Sequence, residues 1–481
     1  MERWTLLRGD CLEVLKGIAD NSIDACVTDP PYGLSEHTDI PKMVRHWFVG
    51  KPFENKSAGF MGKEWDSFVP GPEIWREVYR VLKPGGHLLA FSGSRTVDLM
   101  GISIRFAGFE MRDTILAWMY GSGFPKSLNV SKAIDKAAGA EREVVGSNPN
   151  VAGREASKGR GDGLADYGGF TRNNAEITAP ATDAAKQWDG WGTALKPAFE
   201  PVLVVQKPSE LTVAENSMTY GVGGLNIDAT RVGSNGGTRR DGKANAPNDA
   251  GFATLNAGRW PPNVLLTHHP ECVEDGECHP ECGSPLLDTQ QEGVARFYPQ
   301  FYYRAKPSRS ERNAGLEDFP ESLPRGPNGA INAVSDGRGS RSKPRANSHP
   351  TVKPVDVMRW LIKLVVPEGG LVLDPFNGSG TTGVAALHEG VRYVGIEREP
   401  QYADIAEARL RHAAANTEGK SPFVPVPLKA PSDTLPTTVA PPSSEALRNA
   451  FDITEEVALE RKPGGLSPKD FKRLVSKGLK R

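Results

Sequence analysis

The stretch "LVLDPFNGSGTTGVAAL", residues 371–387, decides the fold. A short Leu/Val run ending in an aspartate reads as a strand buried on both faces, because it neither alternates nor is long enough for a helix. The "NGSG" that follows is a glycine-rich turn, and "TTGVAAL" starts a helix in small residues. Strand, turn and helix in that order put backbone amides at the strand's carboxyl end, where open α/β sheets bind ligands. Asp374, Phe376, Asn377, Gly378, Ser379, Gly380 and Thr381 are therefore the candidate ligand-holding residues. The next apolar run, "RYVGIE", ends on Glu397, about 20 residues downstream, where a carboxylate can accept both hydroxyls of a ribose. The spacing differs from G-x-G-x-x-G and no G-K-[ST] is present, so a phosphate cradle is disfavoured. A plain strand–turn–helix with glycines for packing is the competing reading; the acidic strand end at the right distance weighs against it.

Working outward, short Val/Leu/Ile-rich runs separated by helical patterns predict a largely parallel sheet covered on both faces. Seven strands are expected, at 4–9, 24–29, 87–92, 114–119, 201–206, 371–376 and 392–397. The fold class is α/β, a seven-stranded Rossmann-like sheet. The chain has 481 residues, 38% hydrophobic and 24% charged, which suffices for a large core and more than one unit. Its formal net charge of −1 neither suggests nor excludes a polyanionic partner. The charged N-terminus and the lack of a run of about 18 apolar residues argue against a membrane and for the cytoplasm. Five cysteines in so long a chain do not make a disulfide framework. The expected units are 1–136 with the first strands, a loop-rich insertion at 137–190, and a last strand of that sheet at 191–207. After these come an irregular region rich in Gly, Pro, Asn and Arg at 208–345, the ligand-loop half at 346–413, a Pro-rich linker at 414–443, and a basic helical tail at 444–481.

The strand at 24–29 runs into "VTDPPYG" (27–33), a rigid corner in which two prolines fix the backbone. Asp29, Pro30, Pro31 and Tyr32 form it. Alone, "DPPY" is an ordinary turn after a strand; beside the glycine loop it is a second functional element.

"TDPPYG", then "HPTVKP" (349–354) and "DPFNGSGTT" far downstream, resemble the amino-group DNA methyltransferases, which methylate adenine N6 or cytosine N4 from S-adenosylmethionine. With the corner first and the ligand loop last, the order is similar to the circularly permuted beta group, whose target-recognition region lies between the two. The resemblance covers residues 3–135, 190–207 and 345–412, and "GFPKS" (123–127), "LKPAFEP" (195–201) and "YGVGGLNID" (220–228) look like members common in phages and bacteria. The resemblance does not extend to the tail after 413. The resemblance implies a site-specific modification enzyme of restriction-modification type, with S-adenosylmethionine as cofactor and double-stranded DNA as partner, as monomer or dimer. In that reading the Asp29 side chain and the Pro30 carbonyl accept hydrogens from an exocyclic amino group, whose lone pair is otherwise delocalised, and Tyr32 stacks on a flipped-out base. No covalent intermediate is needed, consistent with the lack of a Pro-Cys nucleophile. Asp10, after the first strand, matches a position that contacts the cofactor adenine, or else caps a helix. Thr351 and Lys353 match the segment lining the methionine end of the cofactor. Ser92, at the end of "LAFSG", is a weaker candidate. Aspartate at the head of the corner leans towards adenine, whereas serine is commoner among cytosine-N4 enzymes. An RNA methyltransferase and a non-catalytic DNA-binding relic are the other classes weighed.

Target reading is expected in the middle region. Residues 296–345 hold ten Arg or Lys against five Asp or Glu, with Phe297, Tyr298, Phe301, Tyr302 and Tyr303 at one end, a mixture suited to phosphate contact and base stacking. "HHPECVEDGECHPEC" (268–282) brings Cys272, Cys278 and Cys282 near His268, His269 and His279 in sequence. The x5 and x3 spacings are looser than the paired C-x2-C of common zinc sites, so no metal is assigned and these three cysteines stand as its weak candidates. "LSPKDFKRLVSKGLKR" (466–481) carries six basic residues and one acidic, with Phe471, Leu474 and Val475 on one short stripe, open to inert, DNA-clamping and docking readings.

Overall fold

The computed structural model describes residues 3–33, 39–53, 68–120, 127–147, 176–232, 259–268, 298–301, 309–321 and 346–417, with residues 272, 282, 287 and 295 between them. Eleven strands are present among these: β1 (Trp4–Arg8), β2 (Ile23–Thr28), β3 (Leu82–Phe91), β4 (Glu110–Met119), β5 (Val144–Ser147), β6 (Glu176–Thr178), β7 (Phe199–Gln206), β8 (Val264–Thr267), β9 (Gln300–Phe301), β10 (Leu371–Asp374) and β11 (Arg392–Glu397). Nine form one sheet in the order β1-β11-β10-β2-β3-β7-β4-β8-β9, and β5 pairs with β6 separately.

All seven expected strands are there, and they are the first seven of that order. The expectation of a seven-stranded sheet is corrected by β8 and β9, which extend it from within the supposed irregular region. These are runs of four and two residues. Too short to show periodicity, they are strands because β8 bonds to the edge of β4 in register, Trp118 opposite Leu265, and β9 in turn bonds to β8, Leu266 opposite Gln300. Only β7 runs against its neighbours; the other eight strands point the same way. Their carboxyl ends therefore share one edge of the sheet, and the amino end of β7 lies there too.

Alternate side chains of the central strands divide between two cores, as the period of two requires. Ala25, Val27, Leu89, Phe91, Val202 and Val204 face the helices Val355–Val365 and Thr381–His388. Cys26, Leu88, Ala90, Leu203 and Val205 face Pro72–Val81 and Val97–Phe106. Both faces are covered, so β2 is buried along its whole length.

Three features cross the expected unit boundaries. The segment Arg309–Leu316 packs on the ligand-loop half, Arg312 donating to the carbonyls of Asn347 and His349 and Glu311 accepting from Val355 N at 2.8 Å. The helix Pro400–Asn416 runs past 413, the expected end of the ligand-loop half, and Arg3 Nη1 donates to Thr417 Oγ1 at 3.0 Å. Asp135, just before the expected insertion, pairs with Arg142 within it at 2.6 Å and also accepts from the amides of Ala181 and Thr182. The tail, Cys278, His269, His279, Phe297, Tyr302 and Tyr303 lie outside the described residues.

Candidate active site

The corner follows β2 and the glycine loop follows β10, and these strands pair directly, Val372 with Ala25 and Leu373 with Cys26. Adjacent parallel strands thus deliver both motifs to the same edge. They are joined by Asp374, whose carboxylate accepts from Thr28 Oγ1 (2.6 Å), Thr382 Oγ1 (2.6 Å) and Phe376 N (3.0 Å). Burial raises its pKa to about 6 against those three hydrogen bonds. Asp374 is thus a clasp between the two motifs.

The loop's other side chains mostly hold its shape. Asn377 Oδ1 accepts from Tyr393 Oη at 2.7 Å, and Gly380, at φ +81°, opens the helix Thr381–His388. Arg409 is 2% exposed and donates through Nη1 to Ser379 O (2.6 Å), Ser379 Oγ (3.2 Å) and Thr381 Oγ1 (3.3 Å). Gly378 has φ +54°, and a Cβ there would stand 2.9 Å from His349 Nε2. Desolvation lowers the His349 pKa to about 3, so the ring is neutral and donates from Nδ1 to Thr351 O at 2.9 Å. Phe376 is half-buried, edge-on to Trp75 at 5.9 Å.

Glu397 ends β11, its Oε2 accepting from Gly378 N (2.7 Å) and its Oε1 from Glu399 N (2.8 Å). Burial outweighs these bonds and raises its pKa to about 7. Arg8 pairs with Glu397 across β1 and β11, which brings Asp10 to the same edge. Asp10 is exposed and caps the helix Cys11–Leu15 by accepting from Leu12 N at 3.0 Å.

At the corner, Lys353 Nζ lies 2.6 Å from Asp29 Oδ2, 3.0 Å from Tyr32 Oη and 3.4 Å from Glu200 Oε2. Burial disfavours the ammonium, but Asp29 and Glu200 more than offset that and raise its pKa. Tyr32 Oη donates to Glu200 Oε2 at 2.9 Å, and Thr96 Oγ1 donates to the Tyr32 carbonyl at 2.6 Å. Burial, with Asp29 and Glu200 close by, pushes the phenol pKa well up, so the ring is neutral. Asp29 Oδ1 is buried and has no donor among the described residues.

The structure therefore brings the corner, the loop, Asp10 and Glu397 to one edge. Lys353, expected to line the methionine end of the cofactor, has its ammonium on the corner, and Thr351, expected there too, is exposed. Ser92 is fully buried, its amide donating to Pro201 O at 3.0 Å. Sequence reasoning passed over Glu200, Arg409, Thr28, Thr382 and His349. Glu200 alone carried a signal, as an acid at the head of a buried apolar strand.

An α/β sheet with a glycine loop and a proline corner on one carboxyl edge has both motifs where open α/β sheets bind their ligands. A family model described as DNA methylase matches residues 23–408, and the chain belongs to that family. It is similar to the Type II methyltransferase M2.DpnII of Streptococcus pneumoniae, 48% identical over 65 residues, which are 14% of this chain and 24% of that protein. It is also similar to the Type II methyltransferase M.HinfI of Haemophilus influenzae, 45% identical over 69 residues, 14% of this chain and 19% of that one. The chain thus aligns with about a quarter or less of these curated relatives. Among solved structures, the PvuII DNA methyltransferase (cytosine-N4-specific) aligns over 96% of this chain and 94% of its own, at 13% identity and a TM-score of 0.39. Among the described residues no helix is long and apolar enough to cross a membrane.

Proposed function

We infer that this chain transfers a methyl group from S-adenosylmethionine to the exocyclic amino group of a base flipped out of double-stranded DNA, with adenine N6 favoured. One observation carries the reading: Asp29 holds a buried carboxylate oxygen with no donor among the described residues, beside an aromatic ring fixed in place. A buried acceptor without a partner is unfavourable unless a ligand donates to it, and an amino group is such a donor.

The donor set fits the cofactor. Asp10, Asp374 and Glu397 line one edge, an acidic collection that disfavours phosphates and suits a cationic, hydroxyl-bearing nucleoside. Glu397 and Asp10 would hold the ribose and adenine, with Phe376 and the main chain of 377–380 around them. When bound, S-adenosylmethionine supplies an electrophilic methyl on its sulfonium. Everything else falls to this chain. Asp29 Oδ1 and the Pro30 carbonyl would accept the amino hydrogens and so favour the pyramidal nitrogen, which gains the methyl as its bond to sulfur breaks and sheds one proton, through Asp29, to solvent. Lys353 holds Asp29 Oδ2 still, so the acceptor needs little reorganisation. Tyr32, tethered through its hydroxyl to Glu200, offers a neutral face that compensates part of the lost stacking.

The test is transfer of labelled methyl to duplex DNA, followed by nucleoside mass spectrometry. N6-methyladenine is expected. N4-methylcytosine would reassign the base, and label in RNA alone, or in no nucleic acid, would overturn the reading.

A further inference from the structure

At the far edge of the sheet from the ligand loop lies a group of side chains the proposed transfer does not use. His268 directly follows β8, and its amide donates to Phe301 O of β9 at 2.9 Å, so its backbone is fixed by the sheet. Its Nδ1 stands 3.6 Å from Cys282 Sγ, fourteen positions along the chain. One ligand atom each from His268, Cys272 and Cys282 lie within 4.8 Å of one another. His268 is 6% exposed, Cys282 is fully buried, and Cys272 is half-buried.

We propose that His268, Cys272 and Cys282 bind a structural zinc ion that ties this part of the central region to the sheet. The distances suit it. With Zn–S about 2.3 Å and Zn–N about 2.0–2.1 Å at a tetrahedral angle, sulfur and nitrogen stand about 3.6 Å apart and two sulfurs about 3.8 Å. The observed Sγ–Nδ1 separation already equals the first value, and with all three ligand atoms within 4.8 Å of one another the second needs a shift of Cys272 of at most about 1 Å. On binding, the two thiols release their protons to solvent and the imidazole ligates as the neutral ring. A fourth position remains for one more donor.

The need for such a site is physical. Residues 208–345 are rich in Gly, Pro, Asn and Arg and supply few apolar residues for a core of their own, and a segment of that kind is stabilised by a metal staple. The place also fits a structural role. β8 is four strands from β2, about 19 Å at strand spacing, too far for the ion to touch the chemistry at Asp29. His268 lies on the same carboxyl edge as the corner, so the staple would fix the central region on the side that DNA must approach.

The competing readings are a thiol–imidazole hydrogen bond and a disulfide between Cys272 and Cys282. Full-length protein, expressed with zinc and purified without a metal-affinity tag, is expected to carry about one zinc per chain by plasma mass spectrometry. Cobalt exchanged into the same protein should give the intense visible bands of a tetrahedral site and a near-ultraviolet thiolate band. Cys272→Ser, half-buried and the mildest change, should lose most of the zinc and the thiolate intensity, and Cys282→Ser all of it. Should Cys282→Ser fail to fold, the cobalt spectrum of the unaltered chain and the Cys272→Ser metal content still decide. Zinc well below stoichiometric with no cobalt–thiolate band, or zinc content unchanged in both cysteine variants, overturns the proposal.

Discussion

Cofactor affinity should depend on pH through Glu397, and the structure fixes both the sign and the size. Burial raises this carboxyl from the ordinary glutamate range to about 7, even though Gly378 N and Glu399 N donate to it. Ribose hydroxyls donating to the same group favour the carboxylate, so binding pulls the pKa down and releases a proton near neutrality. At pH 6, one unit below the raised value, only about one molecule in eleven is ionised, so affinity falls about tenfold, or about 1.4 kcal/mol, relative to pH 8. The linkage for folding has the opposite sense. A carboxyl with a raised pKa stabilises the ligand-free protein at pH values below its unfolded pKa, and that contribution is lost as pH rises through about 7. Ligand-induced stabilisation should therefore be larger at pH 8 than at pH 6. Titration calorimetry with S-adenosylhomocysteine from pH 6 to 8 measures the first effect and a melting series with and without ligand the second. Glu397→Gln should bind about 1 to 3 kcal/mol more weakly at pH 8 and lose most of the slope, any remainder belonging to Asp374, whose pKa is raised to about 6. An affinity flat across this range, or a Gln variant indistinguishable from the unaltered protein, refutes the placement of a ribose on Glu397.

Asp29→Ala should keep S-adenosylhomocysteine binding and lose methyl transfer by about 100-fold or more, because a preorganised acceptor for the base is removed; near-normal turnover in a labelled-methyl assay contradicts the role of the corner. Arg409→Leu removes the donor beneath Ser379 and Thr381, so thermal denaturation should show a loss of about 3 kcal/mol and calorimetry a weaker cofactor site. Truncation after Thr417 should leave both the melting temperature and the methylated sequence unchanged. If the basic tail touches DNA, truncation lowers the log–log salt slope of nonspecific binding by about 0.9 per lost phosphate contact.

The sequence by itself determined the α/β class, the positions of seven strands and the two motifs, because each rests on a local signal. A Leu/Val run ending in Asp374, glycines at 378 and 380 that take positive φ, and prolines that stiffen 30 and 31 all act within a few residues. Lys353 was legible as a functional residue but not as the partner of Asp29, 324 positions away. Glu200 reaches Tyr32 only because β7 enters the sheet antiparallel, with its amino end among the carboxyl ends of its neighbours. Arg409 lies in a helix whose periodicity is unremarkable, and it supports the loop only once that helix packs beneath it. β8 and β9 are too short for a pattern and exist because β4 offers an edge to β8, and β8 one to β9. Cysteine spacing spoke against a metal, yet tertiary folding gathered His268, Cys272 and Cys282 regardless. Local propensity and turn chemistry act over about one element's length, whereas pairing register and the burial of charge are set by which distant strands meet, and only the folded sheet decides that.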